Sequence, residues 1–543
     1  RPKHFRGERL SKFFAPKPSR WADCASLSAH NLPVGAIVRG FRPTDFPVGR
    51  LCEVFGPQTF RWGDCASLSG HRLSGEAIVR GFEANGFRGG RKTETMAPKR
   101  LCAADLSLRA IPNQASHMIQ EFKVKNYLSF RDEATFSFLA TDDRSFGEDQ
   151  VVTIGKTRLL RFAILYGANA SGKSNLLQAL EFMRQFWFAA KASDEESTGV
   201  TPFLLDRQTP RESSSFELIF FVGETKYRYA LMLDQRRVHE ETLHYYKTSR
   251  ATQLFRRTWE GGRSVIELSG GMKTPAAVRE ELTAKCLPNM SFFAARARVN
   301  ASMPPIDAAR TWMQDLFFPL INPKTDLSGF LRNEVQKNAE VKGYLLSLLE
   351  RADFNITGIH VEEKTLSSEE KQSFLQGKLL PDEVKKLFLN EETEASWMSL
   401  MFEHTVQDAR GKEKYALHET VQSAGTIRIL GVEAAIYEAE KRNGFLAIDE
   451  IESSLHPELV KLILDQYLNS EGRSQLLVTT HYDPLLDYID SYFRKDSVWF
   501  TEKGEDGNTS LYSLVEFRGL DEQQYPFRSA YRNGRFGALP NTY

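Results

Sequence analysis

The stretch LLRFAILYGANASGKSNLLQALEFMRQFWF, Leu159 to Phe188, decides the fold. Leu159 to Tyr166 is an apolar strand candidate, and Asn175 to Phe188 carries apolar residues at helical spacing. Between them Gly167-Ala168-Asn169-Ala170-Ser171-Gly172-Lys173-Ser174 has the spacing GxxxxGKS. A strand that breaks into a glycine-rich turn and then a helix turns backbone N–H groups inward at a helix N-terminus, where the helix dipole favours phosphate oxygens. Lys173 would reach the β- and γ-phosphates of a nucleotide and Ser174 would ligate magnesium, with Gly167, Asn169, Ser171, Gly172 and Asn175 completing the cradle. A plain glycine-rich turn before a helix is the bland alternative, and the apolar flanks argue against it.

Further along, Phe445-Leu446-Ala447-Ile448-Asp449-Glu450 reads as a buried parallel strand ending in two acids at its carboxyl edge, where open α/β sheets place their ligands. Asp449 would hold the magnesium through water, and Glu450 would polarise an attacking water as general base. Alone the pattern is weak; beside the glycine-rich loop it is strong. Gln475 to Thr480 forms another apolar strand and delivers His481 at its end, in place for a γ-phosphate contact.

The order of the glycine-rich loop, Ser423-Ala424-Gly425-Thr426, Asp449-Glu450, Ser453-Ser454-Leu455-His456-Pro457 and His481 resembles the ABC ATPase superfamily. By this resemblance Ser423 and Gly425 belong to the signature motif, which caps the γ-phosphate held by a partner subunit. Residues 453–457 are then the D-loop, His481 is the switch histidine, and two ATP molecules with Mg2+ are sandwiched in a head-to-tail homodimer or a larger oligomer. The signature reads QSAGT in place of the usual LSGGQ, and Ser423 to Thr426 also fits a simple helix N-cap. Gln208 follows the first helical region, in a poor setting for the Q-loop glutamine of that superfamily.

The resemblance runs from Met118 to Tyr543 and implies an α/β fold: an ABC-ATPase P-loop fold with a mixed β-sheet core, an N-terminal antiparallel β lobe and a compact helical insertion. Ile119 to Phe130, Ala134 to Leu139, Ser215 to Val222 and Lys226 to Leu233 alternate like paired strands; Asn333 to Ala352 and Pro381 to Leu389 have helical periodicity, and Glu391 to Glu394 is too polar for core. Lys173 and Asp449 are 276 residues apart, so an insertion interrupts the fold. No long heptad run is present to make that insertion a coiled coil. The expected division is 118–287 for the N-terminal lobe with the P-loop, 288–396 for a mainly helical insertion, and 397–543 for the C-terminal lobe with the signature, acidic strand, D-loop and histidine. The insertion resembles RecF-like and OLD-like ATPases of the AAA type. The 62 residues after His481 are too few for the Toprim domain of OLD nucleases. Trp499-Phe500-Thr501-Glu502-Lys503 and Gly534-Arg535-Phe536-Gly537-Ala538-Leu539-Pro540 look like stand-alone bacterial ATPases of phage-defence systems of the Septu and PARIS types, which sit beside a separate nuclease or toxin effector. A RecF/SMC-like ATPase of DNA repair is the alternative that this resemblance leaves open.

Composition bounds these readings. The chain has 543 residues, 41% hydrophobic and 26% charged. No apolar run approaches the roughly 20 residues that span a bilayer, and no secretory h-region follows the basic start, so no membrane partner and a cytoplasmic location are expected. The formal charge of +1 divides into +10 over residues 1–117 and −9 over the remainder. An acidic body lends no support to nucleic-acid binding by overall charge, although a local basic groove would not show in that sum. Four of the five cysteines lie before Met118, which leaves Cys286 alone in the body and argues against a disulfide framework. Residues 1–117 contain a two-copy repeat: Arg20 to Ser28 recurs at Arg61 to Ser69, and AIVRGF at 36–41 recurs at 77–82. The segment is rich in Gly, Pro and Arg without a sustained period. It is expected to be in-frame read-through of repetitive DNA or a disordered basic arm, with the natural protein starting near Met118.

Overall fold

A computed structural model describes residues 36–39, 116–147, 149–352, 355–367, 369, 371, 394–409, 411–517 and 526–539. The repeat copies at 20–28, 61–69 and 77–82, and the helix expected at Pro381 to Leu389, lie outside the described residues.

The strands run β1 (Ala36–Arg39), β2 (Ile119–Lys125), β3 (Ala134–Ser137), β4 (Val151–Ile154), β5 (Thr157–Leu160) and β6 (Phe162–Tyr166), followed by helix α1 (Lys173–Phe186). Next come β7 (Ser214–Val222), β8 (Thr225–Leu233), β9 (Val238–Tyr246), β10 (Thr252–Glu260) and β11 (Arg263–Leu268). Helices α2 (Ala276–Lys285), α3 (Phe292–Arg296), α4 (Pro304–Asp315), α5 (Ser328–Lys337) and α6 (Ala339–Arg351) precede β12 (Ile356–Thr365), β13 (Glu394–Asp408) and β14 (Gly411–His418). The chain closes with α7 (Ala424–Arg442), β15 (Phe445–Ile448), α8 (Pro457–Leu468), β16 (Gln475–Thr480), β17 (Val498–Lys503), β18 (Thr509–Ser513) and α9 (Phe527–Arg532).

The central sheet has the order β15-β16-β6-β17-β18. Its first four strands are parallel and β18 is antiparallel, which gives the mixed core expected. The stretch Leu159 to Tyr166 is two strands rather than one, because the fully buried Arg161 makes a corner. Its guanidinium donates to the carbonyls of Asp149 at 2.7 Å and Ser470 at 2.6 Å, and it stacks over the Tyr467 ring. Side chains on a strand alternate between faces. Phe162, Ile164 and Tyr166 therefore enter one core while Ala163 and Leu165 enter the other. The second face takes α1, whose Leu176, Leu177, Leu180, Met183 and Phe186 are buried, and the antiparallel sheet β11-β10-β9-β8-β7-β2-β3. Each such side chain contributes about 1.5–3 kcal/mol by leaving water. Gln475 fastens the two sheets, its amide donating to the carbonyls of Ile119 at 2.9 Å and Leu160 at 3.0 Å.

Two expectations need correction. The strand expected over Ile119 to Phe130 stops at Lys125, since Asn126 and Leu128 take left-handed backbone at φ 51° and 49° and turn the chain at Tyr127–Phe130. The insertion is helical up to Arg351 but not throughout. From Ile356 it becomes an antiparallel sheet in which β13 pairs β12 on one edge and β14 and β1 on the other, and β13 crosses the expected boundary at 396. The β-branched Ile356, Thr357, Ile359 and Val361 favour strand there. No helix among the described residues is long and apolar enough to cross a membrane.

Helices α5 and α6 lie against α7. Arg332 pairs with Glu419, Asn338 with Glu438 at 3.2 Å, and Lys441 with Glu340. Glu433 is fully buried in this contact, accepting from the Tyr344 hydroxyl at 2.6 Å. Burial pushes its carboxyl up to about 8, with the Tyr344 hydrogen bond opposing and nearby Glu440 adding to the rise. The folded protein thus keeps a proton that the unfolded chain releases near the ordinary glutamate value of about 4.3. The associated stability is full below that value and is lost as pH rises through the folded-state value. Glu433→Gln removes this loss, so the melting temperature of the variant relative to the parent should climb between about pH 5 and about pH 8.5. A difference that stays constant across that range would show that Glu433 is not protonated in the folded protein.

Candidate nucleotide-binding site

Because β15, β16 and β6 are parallel and in register through Ile448, Val478 and Ile164, their carboxyl ends open on one edge of the sheet. From β6 comes the glycine-rich loop, from β15 Asp449-Glu450, and from β16 His481. The loop is held tightly. A Cβ on Gly167 would stand 2.5 Å from both Ser171 Oγ and Thr501 Oγ1, and one on Gly172 would stand 2.4 Å from Thr509 Oγ1. Gly172 also has φ 113°, a backbone that favours glycine, and it serves as N-cap of α1. Lys173 begins that helix. Its Nζ donates to the carbonyls of Gly167 at 2.7 Å and Ala168 at 3.1 Å, inside the arc of the loop. Burial lowers its pKa, and the negative charges of Asp449, Glu452 and Glu450 act against that. Ser174 and Asn175 follow on the first turn, and Asn175 Nδ2 donates to Ser129 Oγ at 2.7 Å. Asn169 is exposed at the mouth, whereas Ser171 is buried with its Oγ 2.7 Å from Thr501 Oγ1.

Asp449 is buried, its Oδ1 accepting from Thr479 Oγ1 at 2.6 Å. The same Thr479 oxygen accepts from the Glu450 N–H at 2.8 Å, and Glu450 sits in left-handed backbone at φ 48°. Non-glycine residues rarely take that conformation, and where they do the strain often serves a site. His481 is about half exposed, with a side-chain exposure of 52%. Glu452 holds it twice: Oε1 accepts its backbone N–H at 2.8 Å and lies 3.0 Å from ring Nδ1.

Ser423 is the N-cap of α7, its Oγ accepting from the Thr426 N–H at 3.0 Å. The capping role and the signature role are compatible, because Ser423 remains exposed at the start of a 19-residue helix. Gly425 packs on the turn at residues 453–455: a Cβ there would lie 2.7 Å from the Ser454 carbonyl. His456 caps α8, and Pro457 occupies its first turn. Gln208 is exposed ahead of the short turn Thr209–Arg211.

Five residues of this arrangement escaped the motif reading: Ser129, Thr479, Thr509 and Glu452 in any role, and Thr501 as a buttress of the loop. Thr509 Oγ1 donates to the Ser171 carbonyl at 2.9 Å and lies 2.8 Å from Ser129 Oγ, so β17 and β18 brace the loop from behind. The segment 534–539 supports those strands in turn, since Tyr512 donates to the Phe536 carbonyl at 2.7 Å. For a nucleotide and Mg2+ the donor set fits. A cradle that any Cβ would fill, a buried lysine inside it and a buried aspartate at the end of β15, with β16 between, suit a polyphosphate with a hard cation.

A family profile described as "AAA domain, putative AbiEii toxin, Type IV TA system" matches residues 162–266 and 307–487, just over half of the chain. No curated protein matches it by sequence. Solved structures to which it is similar include the SMC head domain from Thermotoga maritima, at 12% identity and a TM-score of 0.33, covering 73% of this chain and 98% of that one. A further one is an Smc head bound to the C-winged helix domain of ScpA, at 14% identity and a TM-score of 0.35, covering 75% and 98%. Another is the Smc head domain with an extended coiled coil bound to the C-terminal domain of ScpA derived from Pyrococcus furiosus, at 13% identity and a TM-score of 0.32, covering 74% and 97%. Given an ABC/AAA-type loop, acidic strand end and histidine on one sheet edge, and a profile match through all three, the chain belongs to the AAA-domain family of that description.

Proposed function

We propose that this chain hydrolyses ATP as a head-to-tail dimer, with Ser423 and Gly425 of one subunit completing the site built on Lys173 of the other. We propose further that it acts as the sensor or scaffold subunit of an anti-phage defence system that holds and releases a separate toxin or nuclease. The observation that carries the chemistry is the placement of Lys173, inside the loop after β6, and of Asp449-Glu450, after β15, on the same carboxyl edge of the central sheet. Ser174 and Asp449 would hold magnesium, which would supply positive charge against the phosphate oxygens. Lys173 and the N–H groups of the loop bind and orient the β- and γ-phosphates. Glu450 orients water and takes its proton, and Glu452 presents His481 toward the γ-phosphate. The trans role rests on Ser423, exposed at a helix N-terminus whose N–H groups suit an anion. The defence role is supported by the family's description, which names a toxin–antitoxin system, and by the resemblance of Trp499 to Lys503 and Gly534 to Pro540 to ATPases of phage-defence systems.

If the site is composite, specific ATPase activity rises with protein concentration and levels off as dimers saturate. Turnover per subunit that is flat from about 10 nM to about 10 μM, a span wide enough to include common subunit dissociation constants, would mean that one subunit suffices.

A further inference from the structure

Among the described residues nine large apolar side chains stand exposed, and six of them fall into two patches. The first comprises Val406 and the neighbouring Tyr415 and Leu417 on the β13–β14 hairpin, with Val421 in the turn that follows. In the hairpin Leu417 stands opposite Phe402, and Tyr415 opposite His404. Alternation then puts Phe402, Val406, Tyr415 and Leu417 on one face, together with His404 and with Glu413, which accepts from the Tyr415 hydroxyl at 2.6 Å. The inner end of that face is core, with Leu400 and Phe402 fully buried, but the outer end runs out into solvent. This end adjoins the signature: the Gln422 side chain lies 3.1 Å from His404 Nε2, and Ser423 is the next residue.

The second patch is Leu204 and Leu205, 62% and 66% exposed. It flanks the glycine-rich loop. Leu205 covers the turn between β17 and β18, where a Cβ on Gly507 would stand 2.4 Å from its Cδ1. Asn508 in that turn accepts the Arg131 N–H at 2.9 Å, and Thr509 touches the loop itself at Ser171.

We propose that the two patches form an apolar clasp between two copies of this chain, with Val406, Tyr415, Leu417 and Val421 of one subunit against Leu204 and Leu205 of the other. The proposal rests on the head-to-tail reading above. If Ser423 meets the neighbouring glycine-rich loop, twofold symmetry brings what flanks Ser423 onto what flanks that loop, and does so twice. Single exposed leucines are ordinary, whereas a contiguous apolar surface beside a site marks an interface. The clasp also accounts for why the apolar face of the hairpin continues past the point where its own core ends.

The test places the photo-crosslinker p-benzoylphenylalanine at position 205 in the full chain carrying Glu450→Gln, with irradiation in the presence and absence of Mg-ATP. A covalent dimer that needs ATP, with the second copy joined within residues 404–421, is the expected result. Leu205→Asp and Val421→Asp should each weaken ATP-dependent dimerisation at least about tenfold while leaving ATP affinity unchanged, as removal of a buried apolar contact from an interface does. If Glu450→Gln protein dimerises with ATP but position 205 joins another surface, the clasp is wrong and the sandwich stands. If no dimer forms with ATP, both fall. Capture of a different protein at position 205 in place of the second copy would likewise overturn the clasp.

Discussion

Lys173→Ala should abolish nucleotide binding, and Glu450→Gln should leave binding intact while stopping turnover. The lysine is buried inside the loop, where its Nζ donates to the carbonyls of Gly167 and Ala168. A polyphosphate entering that arc would meet one side-chain cation from the loop. Charge-assisted hydrogen bonds in such a setting are each worth about 1.5–3 kcal/mol. Losing two or more of them lowers affinity about a hundredfold or more. Glu450 sits at the strand end with its N–H tied to Thr479, so the glutamine variant keeps size and backbone and loses only the basic oxygen. Its rate should fall about 10²- to 10⁴-fold, the usual worth of a general base. The parent chain, by contrast, would pass through the ATP-bound dimer and leave it by hydrolysis, whereas the variant should accumulate it. Titration of a fluorescent ATP analogue, with single-turnover hydrolysis alongside, separates the two effects. Equal affinity in the parent chain and Lys173→Ala would contradict the assignment of the loop.

The parts of this site that could be read in the sequence are those whose spacing is fixed by one turn of backbone. GxxxxGKS is local, and so is an apolar strand ending in Asp449-Glu450; the structure places both at the carboxyl edge of one sheet. The supports were not legible, for the opposite reason. Thr501 is 330 residues from Ser171, and Thr509 is 338, so no local period links them to the loop they brace. A hydroxyl in a strand carries no sign of its partner, and Thr479 reads only as part of an apolar run until β16 is laid beside β15. Glu452 was hidden for another reason: after two acids assigned to metal and base, a third reads as a solvated turn residue. The insertion misled in its second half because Glu362, Glu363 and Lys364 give β12 a polar tail that dilutes its alternation. Helix α7 shows the converse case. Its start was legible as an N-cap, and the structure supplies the cap geometry while leaving Ser423 open to solvent.

That openness sets up the sharpest expected result for the composite site. Ser423→Arg should block closure by bulk while sparing ATP binding, since Ser423 belongs to a helix start and Lys173 to the loop of a different strand. Each of Lys173→Ala and Ser423→Arg should then be inactive alone. Mixed in equal amounts they form heterodimers, in which one site carries both defects and the other carries neither. Random pairing makes half the dimers mixed, and half the sites in those are intact, so about a quarter of the parent's specific activity should return. The physical reason is that a glycine-rich loop alone leaves the γ-phosphate half in water, whereas closure adds donors from the α7 N-terminus and excludes water from the reacting centre. Loss of the Ser423 cap itself lowers helix stability by about 1 kcal/mol. That cost is a folding defect, and mixing cannot repair a folding defect. Recovery therefore separates a role in trans from a role in the fold of its own subunit. If heterodimers demonstrably form and the mixture stays as inactive as its parents, Ser423 serves its own helix alone, and the QSAGT segment is a cap rather than a signature.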